Sequence, residues 1–301
     1  MSAVASSKDA AGFCADLVRS HDFVRYASTL FVPADQRRAL LALYAFNVEI
    51  ARIRIHVSQA LSGEMRLQWW TDMLAGTAHG GVEGNPVAAE LLLAVRNARL
   101  PVERLSRLIE EHQFDLYNDP MPTMAALEGY IDDTSSVLFS LAARIAGEAS
   151  DEIEHLARHA GLAQGIAQVM AALPLDASRR QLFVPVQLLE RHGSGTEQVF
   201  SGKQNPKLRA ALDQLVDEAR AHLKTALTLL DGVSPRLPPL FLPLAMVRRD
   251  LERMSRADSD PFTPRPASRL ATLWTLWRRR DLGSSVGLEP IGRIGSQSLL
   301  A

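Results

Sequence analysis

Gly161–Pro185 reads GLAQGIAQVMAALPLDASRRQLFVP. Leu162, Ile166, Val169, Met170 and Leu173 recur at spacings of three and four, one face of a helix. Pro174 is expected to stop that helix, because proline has no N–H to give and its ring clashes with the preceding turn. Asp176, Arg179 and Arg180 follow in a polar segment, and Val184-Pro185 restarts an apolar run. A buried helix that delivers charged groups just past its end is one way to line a central cavity.

Outward from this stretch, nearly every segment carries the helical period. The spacing predicts helices over 8–19, 21–31, 34–56, around Met65–Leu74, 86–98, 102–116, 123–146, 150–173, 205–230, 237–256 and 266–280. The helix at 34–56 is apolar on more than one face, as a helix inside a bundle should be. No alternation of period two is long enough for a sheet, and the connections are short. An all-α, single-domain bundle around a central cavity is therefore expected over 1–280, with a flexible tail over 281–301.

The bulk numbers exclude several classes. The chain has 301 residues and a net charge of −1, so it has no global field for nucleic acid. The single cysteine, Cys14, cannot form an internal disulfide. No run of 18 apolar residues exists, and the N-terminus lacks a charged segment followed by an apolar one. A cytoplasmic location is expected, at the inner face of the bacterial membrane if a surface contact is made.

Four clusters could carry chemistry. Glu49, Arg52 and Arg54 lie on the apolar helix 34–56 and either line a polar cavity or form a salt bridge to a neighbouring helix. Asp132 and Asp133 follow Tyr130, but adjacent carboxylates on a helix face different ways. His155 and His159 have the spacing of two zinc ligands, with no third in view. Trp274 and Trp277, beside Arg278, Arg279 and Arg280, either cap the core or dock on an anionic membrane surface. No nucleophile elbow or phosphate loop is present.

The order of features resembles the squalene/phytoene synthase family. Tyr44-Ala45-Phe46, Arg66-Leu67-Gln68-Trp69-Trp70, Asn85-Pro86-Val87, Asp115-Leu116 and Tyr130 match its landmarks, and Gly161–Pro185 lines up with its second aspartate-rich helix without a gap. The resemblance implies an all-α fold around a cavity for prenyl chains. It also implies Mg²⁺ held by carboxylates of two facing helices, where two prenyl diphosphates are joined. The first carboxylate set falls here on Ala51, Arg52 and Ile55, and the second on Ala172 and Asp176; Ala171, Gly165 and Gln168 stand where that helix usually has Arg, Gln and Asn. Four of five implied carboxylates are missing.

The departures resemble one branch of the family, which holds a mitochondrial respiratory complex I assembly factor. Residues Ala45–Ala51, Ala163–Ile166, Leu173-Pro174, Ser178–Arg180, Leu189–Gly193, Phe262 and Pro264 carry that likeness. It implies a binding or assembly protein that has lost metal-dependent condensation, with no cofactor. Tyr44, Glu49, Arg52, Gln164, Gln168, Asp176, Arg179 and Arg180 are its candidate ligand-binding residues. The implied partners are a prenyl or lipid ligand, a complex I subunit or assembly partner, and a peripheral membrane contact. The alternatives are a Mg²⁺-dependent transferase joining two prenyl diphosphates head to head, and a peripheral lipid-binding protein.

Overall fold

The computed structural model describes residues 2–78, 84–263 and 267–279, with side chains from residue 9 onward. The tail at 281–301, Arg280 and Pro264 lie outside the described residues. Among the described residues there is no strand.

The first half runs α1 (Ser2–His21), α2 (Phe23–Thr29), α3 (Ala34–Ala51), α4 (Ile53–His56), α5 (Ala60–Ala75), α6 (Pro86–Ala98), α7 (Val102–Glu111), a 3-10 turn (Phe114–Leu116), α8 (Met124–Ile131), a π-helix (Asp132–Ser136) and α9 (Val137–Ile145). The second half runs α10 (Asp151–Ser178), α11 (Val186–Arg191), α12 (Thr196–Phe200), α13 (Pro206–Leu230), α14 (Pro238–Phe241), α15 (Pro243–Met254) and α16 (Arg269–Arg278). The helices at α11 and α12 are too short to show a period in the sequence.

α10 is the axis of the bundle. Ser150 caps it by accepting from the Ile153 N–H, and Asp151, Glu152 and Glu154 sit where the helix dipole favours negative charge. From Ala160 to Ala167 every residue is buried, because α13 and α9 pack on it from different sides and the π-helix crosses it. That crossing requires glycine: a methyl at Gly161 would overlap the backbone of Ser136, and one at Gly165 would overlap the Ile131 side chain.

Pro174 does not end α10. The helix passes through it and reaches Ser178, with Arg179 as its C-cap. The lost backbone bond is outweighed by packing, since Leu173 and Ala177 are both buried. Arg180 ends the run in the left-handed region, at φ 55°. The helix expected over 34–56 also breaks, at Arg52 (φ −95°, ψ −5°), so α3 and α4 part at the position where the first carboxylate set belongs.

One large apolar cluster joins α1, α3, α5–α11, α13 and α15. A second, built from Ala27, Leu242, Ala245, Met246 and Leu276, fastens α2, α15 and α16 together. No described helix is long and apolar enough to cross a membrane.

Candidate functional site

Where the C-terminal part of α10 faces the end of α3, a cavity of about 370 Å³ opens. α3 supplies Asn47, Val48 and Ala51, with Arg52 at its end; α10 supplies Gly165, Gln168, Val169, Ala172 and Asp176. The two degenerate carboxylate sets thus share one cavity, with Arg52 and Asp176 both in its wall. Ile55 does not take part: it sits on α4 and is 48% exposed.

The inner wall is a polar network. Asp22 caps α2 by accepting from the Arg25 N–H at 3.0 Å, and its other oxygen takes the Arg25 guanidinium at 2.8 Å. The far side of that guanidinium donates to Gln164 Oε1 at 3.1 Å, and its carbon stands 5.6 Å from the Tyr44 ring centroid. Arg25 is only 4% exposed, and a buried cation needs this full set of partners. Gln164 and Tyr44 therefore stand behind Arg25 rather than in the lining. Burial pushes the Tyr44 hydroxyl up to about 12.

The opposite wall is a second network. His112 Nδ1 lies 2.6 Å from Asp115 Oδ2, and the Tyr130 hydroxyl donates to Asp115 Oδ1 at 2.8 Å. Gln181 Nε2 donates to the Asp115 carbonyl at 3.2 Å. Asp176 stands near this cluster: burial first, and the Asp115 charge second, push its carboxyl up to about 6, with Arg179 opposing. His21, at the cavity edge, is held low by burial and by the charges of Arg52 and His56. His112 Nε2 and Ser135 Oγ are buried and find no hydrogen-bond partner among the described residues.

Other candidates fall elsewhere. Arg180 pairs with Glu197 and lies over the Phe200 ring, pointing away from the cavity because its left-handed backbone turns it toward α12. Arg179 and Glu49 act on the site only at a distance, through their charge on Asp176 and His21. Arg54 donates to Asn118 at 3.4 Å. Asp132 and Asp133 turn apart, toward Arg158 and Arg107, each at 3.9 Å. His155 and His159 are joined by His222 of α13, whose Nδ1 is 2.8 Å from that of His159. Trp274 and Trp277 do not cap the core; Leu276 and Thr272 do, and the stacked indoles face outward. A larger groove of about 940 Å³ runs beside the cavity between α2, α13, α15 and α16. Arg209 shapes its rim by holding the carbonyls of Met254, Arg256 and Ser259.

The sequence reading passed over His21, Asp22, Arg25, His112 and Ser135. Asp22 followed three residues later by Arg25 is a capping pattern, and His112 with Asp115 is a pair at i, i+3, so both left a trace.

The donor set does not suit Mg²⁺, which asks for several oxygens in octahedral array. Asp22 is spent on Arg25, and Asp115 on His112 and Tyr130. That leaves Asp176, in a lining shared with Ala51 and the cation of Arg52. Among the described residues no group of three or more His, Cys, Asp or Glu is placed to hold a metal ion.

The model of the squalene/phytoene synthase family matches residues 18–278. The chain is 32% identical over 252 residues to NADH dehydrogenase (ubiquinone) complex I, assembly factor 6 of Mus musculus, covering 84% of this chain and 76% of that one. The Bos taurus protein of the same name is 32% identical over 274 residues, 89% and 82% of the two chains. A crystal structure of a dehydrosqualene synthase in complex with ligand superposes with a TM-score of 0.80 at 13% identity, over 91% of this chain and 96% of that one. It shares the all-α isoprenoid synthase fold. Matched across its length by the family's own pattern, the chain belongs to the squalene/phytoene synthase family.

Proposed function

We propose that this chain is a squalene/phytoene synthase-family protein that no longer performs Mg²⁺-dependent condensation and serves in the assembly of NADH:quinone oxidoreductase. The observation that carries the first half is the cavity wall. Two helices that should face each other with carboxylates present Ala51, Arg52 and Ala172 beside a single Asp176 whose carboxyl sits near 6. A divalent cation there would meet Arg52 and too few oxygens. The second half is supported by relatives named complex I assembly factor 6, at 32% identity over most of the chain. The partner is a complex I subunit or another assembly protein, and the cavity is kept as a binding site.

A contact with the membrane surface is a second reading, which one observation favours. On α16, Leu270, Trp274 and Trp277 face outward at one helical stripe, and Arg269, Arg278 and Arg279 flank them with no acidic residue in the helix. Such a face suits the headgroup boundary of anionic lipid. It would place the protein at the inner face of the bacterial membrane.

Deleting the gene and resolving the membrane complexes on native gels tests the assembly role. Loss of assembled NADH:quinone oxidoreductase is expected, with rescue by the wild-type chain and equally by Asp176→Asn. Normal assembly in the deletion strain would sink the proposal.

A further inference from the structure

The cavity wall holds two buried polar atoms that no described residue bonds. His112 is 6% exposed and Ser135 5% exposed, yet among the described residues His112 Nε2 and Ser135 Oγ have no partner, and both residues line the cavity. Buried polar groups are normally paired, so a pair of exceptions in one cavity wall points to something that completes them. The imidazole cannot turn away to find a partner elsewhere. Its Nδ1 is fixed on Asp115 at 2.6 Å, and Asp115 is in turn fixed by Tyr130. The ring therefore holds Nε2 in place, and Ser135 brings to the same lining a hydroxyl that can both donate and accept.

The lining of this cavity is poorly suited to a long apolar tail, because it includes a buried cation. Arg25 forms part of its lining, and Gln164 and Asp22 lock that guanidinium in place. At about 370 Å³ the space is at the small end of ligand sites, roughly 300–1,000 Å³. Arg52 supplies a cation in the wall, and among the described residues its hydrogen-bond partner is His56, at 3.4 Å.

We infer that the cavity binds a compact, tail-less anion that carries a hydroxyl group, and binds it without a metal ion. The anionic group pairs with Arg52, and the hydroxyl bridges His112 Nε2 and Ser135 Oγ. A phosphate ester and a hydroxy acid share this chemistry. The inference rests on the reading of the cavity as a retained binding site, and it departs from the prenyl ligand that the family's fold implies.

Titration calorimetry on the full chain in EDTA separates the possibilities, with glycerol 3-phosphate, citrate, inorganic pyrophosphate and farnesyl diphosphate as probes. Saturable binding of glycerol 3-phosphate identifies a phosphate ester and of citrate a hydroxy acid; either supports the inference. Ser135→Ala should then weaken that probe about tenfold, and Arg52→Gln at least as much, with unchanged thermal stability showing that each variant is folded. Farnesyl diphosphate binding tenfold or more tighter than pyrophosphate would overturn the inference while leaving the cavity a binding site. No binding of any probe would overturn both. Unchanged affinity in Ser135→Ala would also overturn it.

Discussion

Replacing Arg25 by Met asks whether the polar inner wall holds the fold as well as shaping the cavity. The guanidinium is 4% exposed and bonds Asp22 at 2.8 Å on one side and Gln164 at 3.1 Å on the other. Removing it strands a carboxylate whose side chain is 18% exposed and a buried amide. Breaking a buried ion pair from one side costs about 3–5 kcal/mol, against a total stability on the order of 5–15 kcal/mol. Gln164→Leu removes one hydrogen bond to a charged group, which is roughly 1.5–3 kcal/mol. Because both changes act on the same bond, they should not add. The double variant should be more stable than the sum of the singles implies, by about 1–2 kcal/mol, within the coupling range of groups in contact. Urea unfolding followed by circular dichroism measures all four proteins. An Arg25→Met cost below about 1 kcal/mol, or additive singles, would show that the network contributes little to stability.

Four further substitutions probe other parts of the molecule. Gly161→Ala should destabilise by about 2 kcal/mol or more, because overpacking against fixed Ser136 backbone exceeds the roughly 1 kcal/mol gained in helix propensity. Gly129→Ala, with open space around it, should stabilise by up to that propensity gain; a melting series compares the two. Asp176→Asn should stabilise the protein at neutral pH by up to about 3 kcal/mol, since the folded carboxyl titrates near 6 against an ordinary 3.8. The folded state then binds the proton more tightly than the unfolded one, so wild-type stability falls as pH rises from about 4 to 6, and the variant's advantage should vanish below 4. His159 and His222 are both held below the ordinary 6.5, chiefly by burial, so their contribution is present above that pH and lost as acid protonates them. His222→Gln should flatten the loss of stability between pH 7 and 5, read by thermal melts across that range.

The bundle was legible because helical period survives in nearly every segment, and α10 most clearly. Its C-terminus was misread for a physical reason: Pro174 is a strong local stop, and the burial of Leu173 and Ala177 that overrides it is a tertiary fact. The break at Arg52 was hidden in the same way, inside a long apolar run. The converging walls of the cavity were legible through Arg52, Gln168, Ala172 and Asp176, which the matched motifs located. Arg25 and His112 were not, because each acquires its role from a partner at another level of the fold: Gln164, 139 residues on, for Arg25, and the lining that Ser135 completes for His112. The exposed indoles of α16 show the converse, since a pattern of alternate apolar residues does not tell which stripe meets the core.

We propose a synthase scaffold that persists here without its metal-dependent condensation. Incubating the purified chain with farnesyl or geranylgeranyl diphosphate and Mg²⁺, then extracting the products, tests it most directly. Unchanged substrate and no Mg²⁺-dependent release of pyrophosphate is the expected result. A head-to-head condensed product that forms with Mg²⁺ and disappears in EDTA would contradict it.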